Sequence, residues 1–406
     1  MAEMVLRAGH NDQRVIEDLL TNPRALQPRH SRLIRRLVVD AVAAARTDVF
    51  ARAATDSATQ LLIDPMTQLL TSTQGVDDSW AALPFATASA VPLSQLRDPA
   101  YRAHLIEHVV EFELDHGATG IIPPYIHVPD PEGPEAEIAV ALMRETRLHV
   151  DDLGLGFQLL PVVSVDLRKV SLDHTRWAGG LGRLLRTANR MADAPVALGL
   201  SMSSKLTETS IYKSARIWRR AATIGPFIAW HAGQTGLLAI TMGATGYEAG
   251  MASNERYDVN SQQRNRMPQN SGPAPRYTGV YVETLGHSLS KSAVTTLANV
   301  RGVAGDLTCM DPLCCPSGLA SMTGAGRRQH AVRARLVDLE ELNSIGARGW
   351  RLHHLSSRAG QAAAAAQRIR AAADRLGVKV GAYPEPHLAM ERVTLGLRET
   401  ARSAIA

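Results

Sequence analysis

The fold turns on residues 157–202, which read "FQLLPVVSVDL" (157–167), "SLDHTRWAGGLGRLLRTANRMAD" (171–193) and "APVALGLSM" (194–202). The outer two are continuous apolar runs and the middle one has the spacing of an amphipathic helix. That is the pattern of a parallel βαβ unit whose strands are covered on both faces. The alternation spreads both ways, with strand-like runs at "QLLID" (60–64), "TGIIPPYIHV" (119–128), "GPFIAWHAG" (225–233) and "ATGYEAGM" (244–251). Helical stretches separate them at 98–117, 133–150, 207–223 and 234–244. Repeated in this way, the unit predicts an α/β fold of the TIM (β/α)8 type. Six strands are clear. A seventh is placed at "LPFATASAV" (83–91), and the eighth at either "TGVYVETL" (278–285) or "GDLTCM" (305–310).

The flanks read differently. Residues 1–58 read as an N-terminal helical cap, because "SRLIRRLVVDAVAAARTDVFARAA" (31–54) lines up Ile34, Leu37, Val38, Ala41, Ala45 and Val49 along one stripe. The barrel then spans 59–304, and 305–406 forms a cysteine-bearing helical subdomain with helices over 327–346 and 359–377. Within the barrel, 254–277 is a long polar stretch without periodicity, the kind that serves as a lid or an insertion.

Composition narrows the setting. The chain has 406 residues, 45% of them hydrophobic, a net charge of +5 and three cysteines. It shows no secretory leader and no apolar run of membrane-spanning length, which predicts a soluble, cytoplasmic protein. Only five of the 44 basic residues are lysine. An arginine-rich chain suits phosphate and carboxylate partners, although the same bias also arises from base composition.

In such barrels chemistry gathers at the C-terminal ends of the strands. The polar residues ending the apolar runs are Asp64, His127, Asp166, Ser201, Ser203, His231 and Glu248. Asp64, Asp166, His231 and Glu248 form the candidate catalytic set, suited to nucleophilic and general acid–base work. Each has a structural alternative: Asp64 precedes a proline as turn-capping residues do, Asp166 has Arg168 and Lys169 nearby for a surface ion pair, and His231 reads equally as a core histidine.

All three cysteines lie within "CMDPLCC" (309–315). Three thiolates leave one place in a zinc tetrahedron, for which His330, His353 and His354 are downstream candidates; a buried or redox-active thiol cluster is the alternative. Adjacent cysteines need a sharp turn to face one ion, and Pro312, Pro316 and Gly318 are placed to make it.

With its late cysteine cluster, a histidine opening the helical stretch "GWRLHHLSSRAGQAAAAAQRIRAAADRL" (349–376) and "GATGYE" (243–248), the chain resembles the tRNA-guanine transglycosylase superfamily, including relatives that insert 7-deazaguanine bases into DNA. The resemblance implies a TIM barrel with a zinc subdomain, with Cys309, Cys314, Cys315 and His353 (or His354) as zinc ligands. It implies Glu248 as the nucleophile and Asp64 as general acid–base, exchanging guanine for a 7-deazaguanine base in tRNA or DNA. Tyr125, Trp230 and Tyr247 would line the base pocket, and Arg256, Arg264, Arg266, Arg327 and Arg328 would hold nucleic-acid phosphates. The chain departs from that family in its cysteine spacing, in carrying Glu for the nucleophilic Asp, and in lacking the family's Asp-Ser-Gly-Gly and Gly-rich motifs. Two other readings stand beside it: a metal-dependent TIM-barrel hydrolase or lyase acting on a small molecule, and a non-catalytic nucleic-acid-binding partner subunit.

Overall fold

The computed structural model describes residues 1–22, 24–73, 76–202, 206–251, 256–265 and 279–403. Eight parallel strands run in the order β3-β2-β1-β8-β7-β6-β5-β4. They are β1 (Glu3–Ala8), β2 (Arg36–Asp40), β3 (Gln60–Asp64), β4 (His127–Val128), β5 (Val162–Asp166), β6 (Val196–Ser201), β7 (Phe227–Ala229) and β8 (Gly246–Gly250). Sequential order with the first strand beside the last is the winding of a TIM barrel. The helices that follow the strands are α1 (Gln13–Thr21), α2 (Val49–Ser57), α3 (Pro99–Asp115), α4 (Pro134–Asp152), α5 (Leu181–Met191), α6 (Glu208–Ala221), α7 (Gly236–Met242) and α8 (Arg327–Ser344). Among the described residues, no helix is long and apolar enough to cross a membrane.

The six strands read from apolar runs are present, and the other two lie where a helical cap is expected. Residues 1–58 are not a cap; they supply β1 and β2. Segment 83–91 is no strand. β9 (Gly279–Val282) pairs antiparallel with β10 (His287–Ser290) outside the barrel, and Ala304–Leu307 is a helical turn. The cause is the barrel interior. On β1, Met4, Leu6 and Ala8 pack outward against the helices, while Glu3, Val5 and Arg7 alternate with them and point into the lumen. Charged lumen residues break the apolar run, so β1 and β2 lose the continuous signature of a doubly covered strand.

The cylinder has one seam without a strand ladder, between β3 and the segment leading to β4. Single contacts close it: Thr119 N–H donates to the Leu61 carbonyl at 2.9 Å, and Leu61 N–H to Thr119 Oγ1 at 2.8 Å. Higher up, Thr67 Oγ1 both donates to the Tyr125 carbonyl and accepts from Tyr125 N–H, each at 2.7 Å.

The C-terminal subdomain starts earlier than residue 305. Val280, Val282, Leu289, Val294 and Leu297 share one core with Cys309, Cys315, Ala365, Ile369 and Ala373, so the hairpin belongs to that subdomain together with α9 (Arg348–Leu376). α10 (Glu385–Ser403) packs along α9. The chain therefore leaves the barrel after β8, lays down the hairpin and the cysteine turn, returns through α8, whose Val332, Leu336 and Leu339 lie in the barrel core, and completes the second core with α9.

Candidate active site and metal centre

At the C-terminal end of the barrel, one buried arginine is held by three carboxylates from three other strands. Arg7 (β1) donates to Asp40 Oδ1 (β2) at 2.5 Å, to Asp64 Oδ2 (β3) at 2.7 Å and, through Nε, to Glu248 Oε1 (β8). Arg7 is 3% exposed and Asp64 and Glu248 are fully buried. Charges of this kind are rarely buried unless paired, and one cation for three carboxylates leaves the cluster anionic. The surrounding carboxylates outweigh burial and hold Arg7 charged. Burial pushes Glu248 above the usual carboxylate range, while Arg7 pulls it back.

The backbone is bent to serve this cluster. Among the described residues three non-glycine residues have positive φ: Ala58, Met66 (φ 54°) and His231 (φ 49°). Two of the three turn an N–H onto a cluster carboxylate: Met66 N–H donates to Asp64 Oδ1 at 2.9 Å, and His231 N–H to Glu248 Oε2 at 3.2 Å. Left-handed backbone at such residues is disfavoured, on the order of 1–3 kcal/mol each, and strain of this sort concentrates at functional sites.

Around the carboxylates stands an aromatic wall. The Tyr125 hydroxyl donates to Asp64 Oδ1 at 3.0 Å, and the Arg7 guanidinium lies 5.0 Å from the Trp230 ring centre. Tyr257 enters the lumen from the segment after β8 and stacks on His231, with ring centres 5.2 Å apart and planes 12° from parallel. Gly199 on β6 makes room for it, since a Cβ there would sit 2.8 Å from Tyr257 Cε1. The Tyr257 hydroxyl is 2.6 Å from Ser164 Oγ, which is 2.8 Å from His127 Nδ1. Gln262 Nε2 lies 3.2 Å from His231 Nε2.

His231 is neutral here, because burial and the Arg7 charge lower its pKa to about 3. Its contribution to stability is thus present above its ordinary pKa near 6.5 and is lost as pH falls toward 3. In His231→Gln, the stability gap to wild type should narrow below pH 6.5 by up to about 1.4 kcal/mol per pH unit. Urea melts at pH 7.5, 6 and 5 measure this, and a gap independent of pH would contradict a neutral buried His231.

Of the expected site residues, Asp64, Glu248, His231, Tyr125 and Trp230 come together. Asp166 does not join them: it stands at the rim of β5, bonded to Arg168 at 2.7 Å, so the ion-pair alternative describes it. Burial raises its pKa, but the Arg168 bonds outweigh this and the net shift is downward. Asp64, Asp166, His231 and Glu248 do not form a metal-ligand set among the described residues. Tyr247 faces away from the lumen and packs on Gly236, because neighbouring strand residues point to opposite faces and Glu248 takes the inner one. Arg328 reaches the β1–α1 loop, 3.0 Å from Asp12 Oδ1, with Arg327 beside it; Arg264 is exposed and Arg256 half-buried. Arg266 and Ser203 lie outside the described residues. Arg7, Asp40 and Tyr257 are not among the expected site residues. The sign in the sequence is the basic residue inside "MVLRAG".

The cysteines converge with a histidine. Cys309, Cys314, Cys315 and His330 each offer a ligand atom, all within 4.8 Å of one another. Cys314 Sγ and Cys315 Sγ lie 3.3 and 3.6 Å from His330 Nδ1. A tight turn brings the adjacent thiols round: Cys314 and Cys315 N–H both donate to the Asp311 carbonyl, and Gly318 follows with φ 54°. His330 Nε2 is 3.0 Å from the Tyr281 carbonyl, which can only accept. The proton therefore sits on Nε2, and Nδ1 offers its lone pair to the cluster, the tautomer and support a metal ligand needs. Four soft and borderline donors converging in this way fit zinc. The histidine is His330, in the first turns of α8. His353 is exposed on α9, where it accepts from Arg398 at 2.8 Å, and His354 faces Glu341 at 3.6 Å.

No protein-family model and no curated protein matches the chain. Among solved structures it is similar to a presumed phosphonomutase from Burkholderia cenocepacia J2315, with 12% identity and a TM-score of 0.34 over 61% of this chain and 86% of that one. It is also similar to the carboxyl transferase domain of Rhizobium etli pyruvate carboxylase with 3-hydroxypyruvate (12%, 0.33), covering 98% of this chain and 61% of that one. Dihydrodipicolinate synthase from Oceanobacillus iheyensis gives 13% and 0.20 over 76% and 81%. Likenesses this distant carry no argument about activity; the barrel assignment rests on the strand order.

Proposed function

We propose that the chain is a TIM-barrel lyase or hydrolase acting on a small molecule, with general acid–base chemistry carried by the carboxylates around Arg7. The observation that carries this reading is the pair of strained N–H groups, Met66 and His231, each aimed at a cluster carboxylate where strand ends meet. Glu248, raised by burial, is the proton donor, and Asp64, surrounded by three donors, acts as the carboxylate partner. The anionic cluster favours a substrate that presents cationic or hydrogen-bond-donating groups. Tyr257 and Val259 are buried with the lumen residues Val162, Ala197 and Trp230.

A second reading is base exchange on tRNA or DNA, with insertion of a 7-deazaguanine. The Cys3His cluster supports it, as the site for a structural zinc in a barrel protein of that kind. On this reading Glu248 attacks C1′ of the nucleoside, the base leaves, and the incoming base displaces the carboxylate. Arg327, Arg328, Arg256, Arg264 and Arg266 would then serve the phosphates.

One experiment separates the two. Wild type is incubated with a metabolite mixture followed by NMR, and in parallel with labelled guanine and either tRNA or DNA. Turnover of a small molecule that drops about 10²–10⁴-fold in Asp64→Asn and in Glu248→Gln supports the first reading. Guanine incorporation with the same dependence replaces it with the second. Turnover indifferent to both substitutions removes the Arg7 cluster from the chemistry.

A further inference from the structure

We propose that the solvent face of α3 is a second metal site, formed by His104, Glu107 and His108 and independent of the cysteine cluster. The sequence "HLIEH" (104–108) sets two histidines four apart on a helix with a carboxylate between them. Residues three and four apart share one helix face, and the His-x-x-Glu-His order is a known metal-binding spacing. α3 uses its other face for packing: Leu105, Ile106, Val109 and Val110 are buried in the barrel core, whereas His104 and Glu107 are exposed and His108 half-buried.

Ligand atoms of the three residues lie close enough to share one ion. The two imidazole centres lie 4.0 Å apart, and one ligand atom from each of the three residues lies within 4.8 Å of the others. His108 Nδ1 is 2.9 Å from the His104 carbonyl. A carbonyl only accepts, so Nδ1 carries the proton and Nε2 holds the lone pair a cation takes. The backbone thus orients one ligand and fixes its tautomer before any ion arrives. Glu107 has no ion-pair partner among the described residues, which leaves its carboxylate available as the third donor. Two imidazoles and one carboxylate select a borderline divalent cation, Zn²⁺, Ni²⁺ or Cu²⁺, over Mg²⁺ or Ca²⁺. Three protein ligands leave a coordination position open to solvent, as in sites where metal engages a further molecule.

The test uses the full chain, saturated with zinc to fill the thiol site, washed with a weak chelator to clear the exposed helix face and desalted, then titrated with Cu²⁺ and read by electron paramagnetic resonance. One Cu²⁺ per chain with nitrogen hyperfine structure from imidazole is expected. Its affinity should fall at least about tenfold in His104→Ala and in His108→Ala, and less in Glu107→Gln. None of the three positions belongs to the barrel core, so circular dichroism should stay unchanged. No binding in wild type, or the same signal and affinity in both histidine variants, overturns the site.

Discussion

Arg7→Met should destabilise the chain by at least about 3–5 kcal/mol at pH 7, among the largest effects of any single substitution in the barrel. Methionine fills a similar volume, so little of the loss comes from a cavity. The cost comes from the three carboxylates of Asp40, Asp64 and Glu248, which lose their shared cation and stay in a site where two of them are fully buried. The pH dependence identifies this cause. In the variant Glu248, already raised by burial, loses the Arg7 charge that pulls it back, so its contribution to stability is present below about pH 4 and is lost as pH rises through its raised value. The gap between variant and wild type in guanidinium melts should therefore shrink from pH 7 to pH 5. A gap that is small at pH 7, or that does not change with pH, would show that Arg7 does not neutralise the cluster.

The second large effect concerns the thiols. Purified chain should carry one zinc bound by Cys309, Cys314, Cys315 and His330, and Cys314→Ser or a strong chelator should remove it. Apparent binding energies of structural zinc in small Cys/His domains are roughly 10–16 kcal/mol at neutral pH, and Cys309 and Cys315 are embedded in the second hydrophobic core. Loss of the ion should therefore split the thermal transition: the core of the hairpin and α9 melts first, while the barrel tryptophans 80, 177, 218 and 230 report a later step. Elemental analysis together with fluorescence and circular dichroism melts checks both halves. A metal-free preparation that melts in one unshifted transition would mean that the thiols are merely packed. His353→Ala should leave the metal in place, whereas His330→Ala should not.

The six strands legible in the sequence carry at most one charged lumen residue each, as Asp64 on β3 and Glu248 on β8, beside small or apolar ones such as Val162, Ala197 and Ile228. β1 and β2 were hidden because Glu3, Arg7, Arg36 and Asp40 face inward, and a strand with a charged lumen face no longer reads as a doubly covered run. The same substitution of charge for hydrocarbon that conceals the strands creates the site. Asp64, His231 and Glu248 were visible as polar residues ending apolar runs; their arginine partner was not, since a basic residue in a presumed helix is unremarkable in an arginine-rich chain. The choice among His330, His353 and His354 was likewise beyond spacing alone. It depends on α8 returning to the barrel between the cysteine turn and α9, and on the Tyr281 carbonyl that orients His330.

The position of β1 between β2 and β8 gives the molecule a timetable as well as a shape. Arg7 meets Asp40 and Asp64 across 33 and 57 residues of chain, but Glu248 across 241. Loop closure over such a span comes late in folding, after local βα units have formed. For most of its assembly the N-terminal half holds Arg7 with two of its three carboxylates in a sheet with an open edge, and β8 supplies the third and covers that edge at one stroke. Contacts completed last lie on the native side of the folding barrier, so they govern how long the finished barrel stays closed more than how fast it forms.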